Sequence, residues 1–205
     1  MERVDGGAGS PPHVVGLVLA AGAGRRLGLG AKALLRSGGA TLAERSVRVL
    51  AEGGCSRVLV VVGAQAEEVS PLVAAAGAKA VVNADWASGL ASSFRAGVAA
   101  LPEDAGRVVV LLVDQPGVGA EAVARLLAEH RPGTLTAAEY GDGGARHPMV
   151  FDADLVRAAA DLAEGDRGAR AYLRQHPELL HLVDCADLGS AADVDSPEDL
   201  RLLRP

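Results

Sequence analysis

Aromatic residues are scarce in this chain: phenylalanine, tyrosine and tryptophan make up 2% of its 205 positions. The core must therefore be aliphatic, and a stacking platform for single-stranded nucleic acid is disfavoured. Positive charge is also in deficit. A net charge of −6 argues against nucleic acid as the main partner and confines any polyphosphate pocket to a local basic spot. No apolar run approaches a membrane span, and the N-terminus lacks a hydrophobic signal region. The expected setting is cytoplasmic, with no membrane partner. The two cysteines, Cys55 and Cys185, have no metal-ligand spacing and read as buried thiols in a reducing compartment. What is abundant is aliphatic: 49% hydrophobic against 22% charged residues excludes general disorder. The length suits one domain with a sizeable core. Residues 1–13, with GGAGSPP inside, read as a disordered tail, which leaves 14–205 as the domain.

Lysine is rarer still. Of 20 Lys+Arg residues only Lys32 and Lys79 are lysines, and Lys32 closes the stretch around which the chain is organised. Residues 14–19 are apolar and β-branched, as a buried strand requires. They lead into Ala20-Ala21-Gly22-Ala23-Gly24, where side chains almost vanish, and then to Arg25, Arg26 and Lys32. Small residues let backbone approach a ligand, and consecutive N–H groups can form an anion-binding concavity. The cations behind the loop point to a polyphosphate. Two other phosphate loops do not fit. A Walker loop needs Gly-Lys-Ser/Thr, but Ala31 and Ala33 flank Lys32. A dinucleotide fingerprint needs its third glycine one residue earlier than Gly28 and an acid on the next strand, which instead runs into Gly63-Ala64-Gln65.

Further along, Thr41 and Glu44 have capping-box spacing for a helix that Gly53-Gly54 end. Strands are expected at 57–62, 78–82, 107–113, 134–138 and 180–183, with helices at 65–76, 119–130 and 152–163. Long apolar strands alternating with helices mean a parallel sheet covered on both faces, and ligands of such sheets bind beyond the carboxyl ends of the strands. Residues 141–145 read as a turn delivering Arg146-His147-Pro148 into an extended segment, so part of the sheet is expected to be antiparallel. Residues 107–113 form the most apolar strand and should lie centrally. That strand ends in Asp114-Gln115-Pro116. A carboxylate there is poorly placed for a core and well placed for magnesium, which favours one or two carboxylates plus phosphate oxygens.

Several segments also have plainer readings. Asp114, taken in isolation, suits a helix-capping or turn residue before Pro116 better than a metal ligand. Ser88 suits an N-cap and Trp86 an anchoring hydrophobe. Arg146 suits a solvated surface and His147 a packing position before proline. Asp166 suits the cap of a helix through Tyr172. Ser196, Pro197 and Asp199 have the character of a helix start.

Leu19-Ala20-Ala21-Gly22, Arg26-Leu27-Gly28 and Lys32 resemble, in order, the signature of the MobA-like nucleotidyltransferases. These are the relatives of the molybdenum-cofactor guanylyl- and cytidylyltransferases. Asn83-x-x-Trp86-x-x-Gly89-x-x-x-Ser93, Asp114-Gln115-Pro116 and residues 146–151 resemble further family segments, as do residues 165–170 and 193–200. The likeness is greatest to the cytidylyltransferase branch. It implies a doubly wound, mostly parallel, Rossmann-like α/β domain. It also implies magnesium-dependent transfer of a nucleoside monophosphate, CTP preferred, to a phosphate-bearing acceptor such as molybdopterin cofactor.

On this resemblance Arg26, Lys32 and Asp114 are catalytic. Leu19, Ala20, Ala21, Gly22, Ala23, Gly24, Asn83, Gly89 and Ser93 bind the nucleotide. Arg146, His147, Arg167 and Arg170 face the acceptor. Asp114 and Asp195 hold Mg2+, with Asp193 behind Asp195. A molybdoenzyme or its maturation chaperone is the implied protein partner. A guanylyltransferase, an enzyme acting on another phosphorylated metabolite, and a catalytically silent nucleotide-binding module stay open.

Overall fold

The computed structural model describes residues 13–141, 144 and 146–204. The expected tail lies outside these residues except for His13, which opens the first strand, and so do three residues of the expected turn at 141–145.

Strand β1 (His13–Leu19) is followed by a small hairpin, β2 (Arg36–Ser37) and β3 (Ala40–Thr41). Helix α1 (Leu42–Glu52), β4 (Arg57–Val62), α2 (Ala66–Ala75) and β5 (Lys79–Val82) come next. Then follow α3 (Leu90–Ala99), β6 (Ala105–Leu112), α4 (Ala120–Glu129), β7 (Leu135–Glu139) and β8 (Arg146–Asp152). The chain closes with α5 (Ala153–Asp161), α6 (Arg170–Gln175), β9 (Leu180–Asp184) and a 3-10 turn at Pro197–Leu203.

Among the described residues, seven strands form one sheet in the order β5-β4-β1-β6-β8-β7-β9. β6 is the middle strand, as its apolar content predicts. β1 runs parallel to both β4 and β6, and β7 runs parallel to β9. β8 is antiparallel to β6 and β7, the reversal expected for that part of the sheet.

Alternation along the strands fills two aliphatic cores. On one face Val18, Val60 and Leu111 pack against Leu50 of α1, Val73 of α2 and Leu126 of α4. On the other, Leu17, Val61 and Val110 pack against Phe94 of α3, Val156 of α5 and Tyr172 of α6. Each fully buried side chain of this size contributes about 1.5–3 kcal/mol of transfer free energy. Both cysteines are buried and free, and burial pushes the Cys55 thiol pKa up to about 12. Among the described residues no helix is long and apolar enough to cross a membrane.

The capping box at α1 forms as its spacing predicts. Glu44 N–H donates to Thr41 Oγ1 at 3.2 Å, and Thr41 N–H donates to Glu44 Oε2 at 2.8 Å. Two local expectations fail. Ser88 does not cap α3, which starts from Gly89, because its hydroxyl is turned back onto Asp85. Asp166 does not cap α6, whose N-cap is Ala169; its carboxylate is drawn to α3 instead.

Candidate active site

The phosphate-type loop is built at the carboxyl ends of β1, β4 and β6. Ala20 N–H donates to Val61 O at 2.9 Å and Ala64 N–H to Ala21 O at 3.0 Å, which extends sheet pairing into the loop. Beyond them the chain turns back on itself. Leu27 N–H and Gly28 N–H both donate to Gly24 O, at 3.0 and 3.1 Å. Gly24 has φ 59°, and a Cβ there would lie 2.3 Å from Gly30 O, so no other residue closes this loop without strain.

Gln65 braces the loop from outside. Its Oε1 accepts from Ala31 N–H at 2.7 Å and its Nε2 donates to Glu68 at 2.8 Å. Gln65 itself has φ 53°, a conformation that costs a non-glycine residue on the order of 1–3 kcal/mol. The sequence marks this strand end only by its lack of an acid; nothing in the local pattern reveals an amide holding a loop 34 residues away.

Val113 N–H donates to Leu19 O at 3.2 Å, which aligns the ends of β6 and β1 and sets Asp114 opposite the loop. Val194 N–H donates to Asp114 O at 2.9 Å and brings the C-terminal segment across. Asp199 Oδ2 accepts from the amides of Asp195 and Ser196, at 3.2 and 2.9 Å, and fixes that segment.

The result is a cluster centred on Lys32. Its ammonium donates to Asp114 Oδ2 at 2.7 Å and also to Asp195 Oδ1. Arg26 Nη1 lies 3.5 Å from Asp195 Oδ2. Burial works against the charged lysine, but Asp114 and Asp195 outweigh it and its pKa is raised. Asp193 stands beside them with its pKa raised by burial and by repulsion from Asp114 and Asp195. Its hydrogen bond from Gln115 Nε2, 2.9 Å long, offsets part of that rise.

A divalent cation fits here. Two carboxylates converge on one positive group, offering the hard oxygen donors that magnesium or manganese takes. Among the described residues no set of three or more His, Cys, Asp or Glu side chains forms a metal cage. A metal held by Asp114 and Asp195 would complete its shell with phosphate oxygens and water, the usual habit of magnesium.

One cavity opens from this cluster and a second from Asp193 beside it. The first, of about 440 Å³, is lined by Leu19, Ala21, Gly22, Gly24, Arg25, Arg26, Lys32, Gly89, Ser93, Asp114 and Asp195 among others. Trp86 also lines it, with the Arg25 guanidinium carbon 5.9 Å from its ring centre. Three expected nucleotide residues do not line it. Ala20 is locked into the sheet, Ala23 is absent from the lining, and Asn83 is buried behind α3. There Asn83 Nδ2 donates to Ser92 and Ser93 Oγ at 2.9 and 3.1 Å, so it positions Ser93.

The second cavity, of about 370 Å³, has Phe94, Leu112, Met149 and Phe151 in its walls and Arg146, His147, Arg167 and Arg170 around them. All four expected acceptor residues are therefore brought together. Leu19, Leu90, Leu112, Asp166 and Asp193 line both cavities, so the two spaces are contiguous.

His147 is held neutral at physiological pH, its pKa pushed down to about 4 by burial and by Arg170. His130, bonded to Thr136 and Asp152, is also lowered, chiefly by burial. Both imidazoles bind protons more readily unfolded, so stability is full above about pH 6.5 and falls as pH drops towards 4. Chemical denaturation across that range should show the loss, and His147→Asn should flatten it. An unchanged profile in the variant would remove His147 from this role.

The sequence profile of the MobA-like NTP transferase domain matches residues 16–179. The chain belongs to the MobA-like NTP transferase family. Asp193 and Asp195 lie beyond the matched span. The chain is 45% identical, over 94% of its length and 97% of the relative's, to nicotine blue oxidoreductase of Paenarthrobacter nicotinovorans. It is 31% identical to a "Probable molybdenum cofactor guanylyltransferase" of Opitutus terrae, over 91% of this chain and 92% of that one. Among solved structures, Rv0371c of Mycobacterium tuberculosis in complex with manganese superposes with a TM-score of 0.74 at 28% identity. That match covers 93% of this chain and 98% of the other.

Proposed function

We propose that the protein moves a nucleoside monophosphate from a triphosphate, CTP preferred, to a phosphate-bearing acceptor such as molybdopterin cofactor, releasing pyrophosphate. The observation that carries this is the junction: a polyphosphate-type cavity lined by Lys32, Asp114 and Asp195 shares Leu19, Leu112 and Asp193 with an arginine-rimmed cavity.

In this reading the triphosphate lies on the loop backbone, with Lys32 and Arg26 facing the β- and γ-phosphates. Arg167 and Arg170 hold the acceptor so that its phosphate oxygen faces the α-phosphorus. One P–O bond forms to the acceptor as the bond to the β-phosphate breaks, and pyrophosphate leaves with the electron pair. An ionised phosphate needs no strong general base, so catalysis is positioning plus stabilisation of the charge on the leaving group. Magnesium, held by Asp114 and Asp195, would supply further neutralisation of phosphate charge. A molybdoenzyme or its chaperone would receive the product.

Cytosine is preferred because Ala21 stands where guanylyl enzymes of this kind tend to have a second glycine. Its methyl lies against the tight Gly63–Trp86 contact, where a Cβ on Gly63 would come within 2.9 Å of Ala21 Cβ. Pyrophosphate release with each of the four ribonucleoside triphosphates and molybdopterin tests the reading, and CTP is expected to outcompete GTP. Displacement of bound CTP by GTP at equal or lower concentration would reject the preference. Binding without release would leave a silent nucleotide-binding module.

The 45% identity to nicotine blue oxidoreductase favours a second reading. The apolar walls of the second cavity would take a planar aromatic oxidant, and the loop the pyrophosphate of a reduced nicotinamide dinucleotide that supplies hydride. This leaves the Asp114–Lys32–Asp195 cluster without a task, and so it stands second. Loss of NADH or NADPH absorbance with an oxidised aromatic dye, without pyrophosphate release from any triphosphate, would reverse the order.

A further inference from the structure

Helix α3 carries Ser93 to the first cavity yet has no side-chain cap of its own. The leading N–H groups of a helix need partners, and here they come from a segment far away in sequence. Leu90 N–H donates to Asp166 Oδ1 at 3.3 Å, across 76 residues. Ala91 N–H donates to Gly165 O at 2.8 Å. One turn further, Arg95 Nη1 donates to Ala163 O at 2.5 Å. Gly89, at φ 118°, allows this approach, since a Cβ there would lie 2.7 Å from Gly165 O and 2.8 Å from Asp166 Oδ1. The same segment continues into Arg167 and Arg170, which line the second cavity, while Asp166 and Leu90 line both.

We propose that Asp166 is a positioning residue that ties the acceptor segment to the nucleotide-binding helix, so that filling the first cavity orders the arginines of the second. The proposal rests on the nucleotidyl-transfer reading above. Two main-chain amides, one carboxylate and one arginine join the two pieces into a single hydrogen-bonded seam. A ligand that immobilises the start of α3 therefore immobilises residues 163–168 as well, and the second substrate meets arginines whose ordering has already been supplied. By linkage the effect is reciprocal: the acceptor tightens nucleotide binding by the same factor. A carboxylate at a helix N-terminus is also favoured by the helix dipole, which holds Asp166 on Leu90 rather than on the cavity's cations. Among the described residues the Asp166 carboxylate accepts from Leu90 N–H.

Hydrogen exchange of the full chain, with and without CTP and magnesium, tests this. In the wild type CTP should slow the amides of residues 165–170 as well as those of 90–93. Asp166→Ala should lose the protection at 165–170 and bind CTP about tenfold more weakly, the cost of roughly one lost cap. That affinity is read from the fluorescence of Trp86, the chain's single tryptophan. Asp166→Asn keeps an oxygen to accept from Leu90 and should restore both readouts. Protection confined to 90–93 in the wild type would overturn the coupling. An asparagine variant as impaired as the alanine one would show that the charge acts on ligand directly and would overturn the positioning role. If neither CTP nor GTP protects either segment, the nucleotide-transfer reading fails, and this proposal with it.

Discussion

Asp114→Asn is expected to fold normally and to lose metal-dependent turnover by a hundredfold or more. That loss is roughly 2.7 kcal/mol of barrier at about 1.36 kcal/mol per decade. Asp114 stands just past the end of the middle strand of the sheet, held by a main-chain hydrogen bond from Val113 to Leu19 and another from Val194 to its own carbonyl. Asparagine can occupy the same space under the same main-chain restraints. It removes only the negative charge that faces Lys32 and that a magnesium ion would require. Steady-state pyrophosphate release as a function of magnesium, with a thermal melt to confirm folding, measures the effect. A well-folded variant with full turnover and unaltered magnesium dependence would reduce Asp114 to a turn residue before Pro116 and remove the proposed mechanism.

Lys32→Ala is expected to cost on the order of 2–4 kcal/mol of transition-state stabilisation, while Lys79→Ala should leave turnover unchanged. Both lysines are conspicuous in a chain with 20 Lys+Arg residues, but their settings differ. Lys79 opens the edge strand β5 and is exposed. Lys32 is largely buried, and its ammonium is shared between Asp114 and Asp195. A cation in that setting is desolvated before substrate arrives, so its interaction with charge developing on the leaving phosphates is only weakly screened. Turnover of the two variants under identical conditions decides the matter, and equal activity would remove Lys32 from the site.

Local chemistry made much of this legible in the chain itself. The capping box of α1 needed only Thr41 and Glu44 three residues apart, and it formed. The apolar runs became strands because aliphatic β-branched residues bury both faces of a parallel sheet. The run with the greatest apolar content took the centre of the sheet. The small-residue loop and its cations could be read as a candidate anion site because backbone access and positive charge are properties of residue type.

Only the tertiary structure could decide what depends on pairing across distance. Lys32 meets Asp114 and Asp195 over separations of 82 and 163 residues, and no local pattern encodes that one ammonium serves two carboxylates. Asp166 had a plausible helix of its own to cap, yet packing set it beside the start of α3, whose N-cap residue offers no side-chain cap. Asn83 matched a nucleotide-facing motif, but burial turned its amide onto Ser92 and Ser93. Gln65 carried no charge to draw attention, although its amide holds the loop in place. The sequence by itself determined which groups the site would use, because residue chemistry is local. Which group faces ligand and which faces another side chain was decided by the fold, because hydrogen-bond partners are assigned only once the elements have packed.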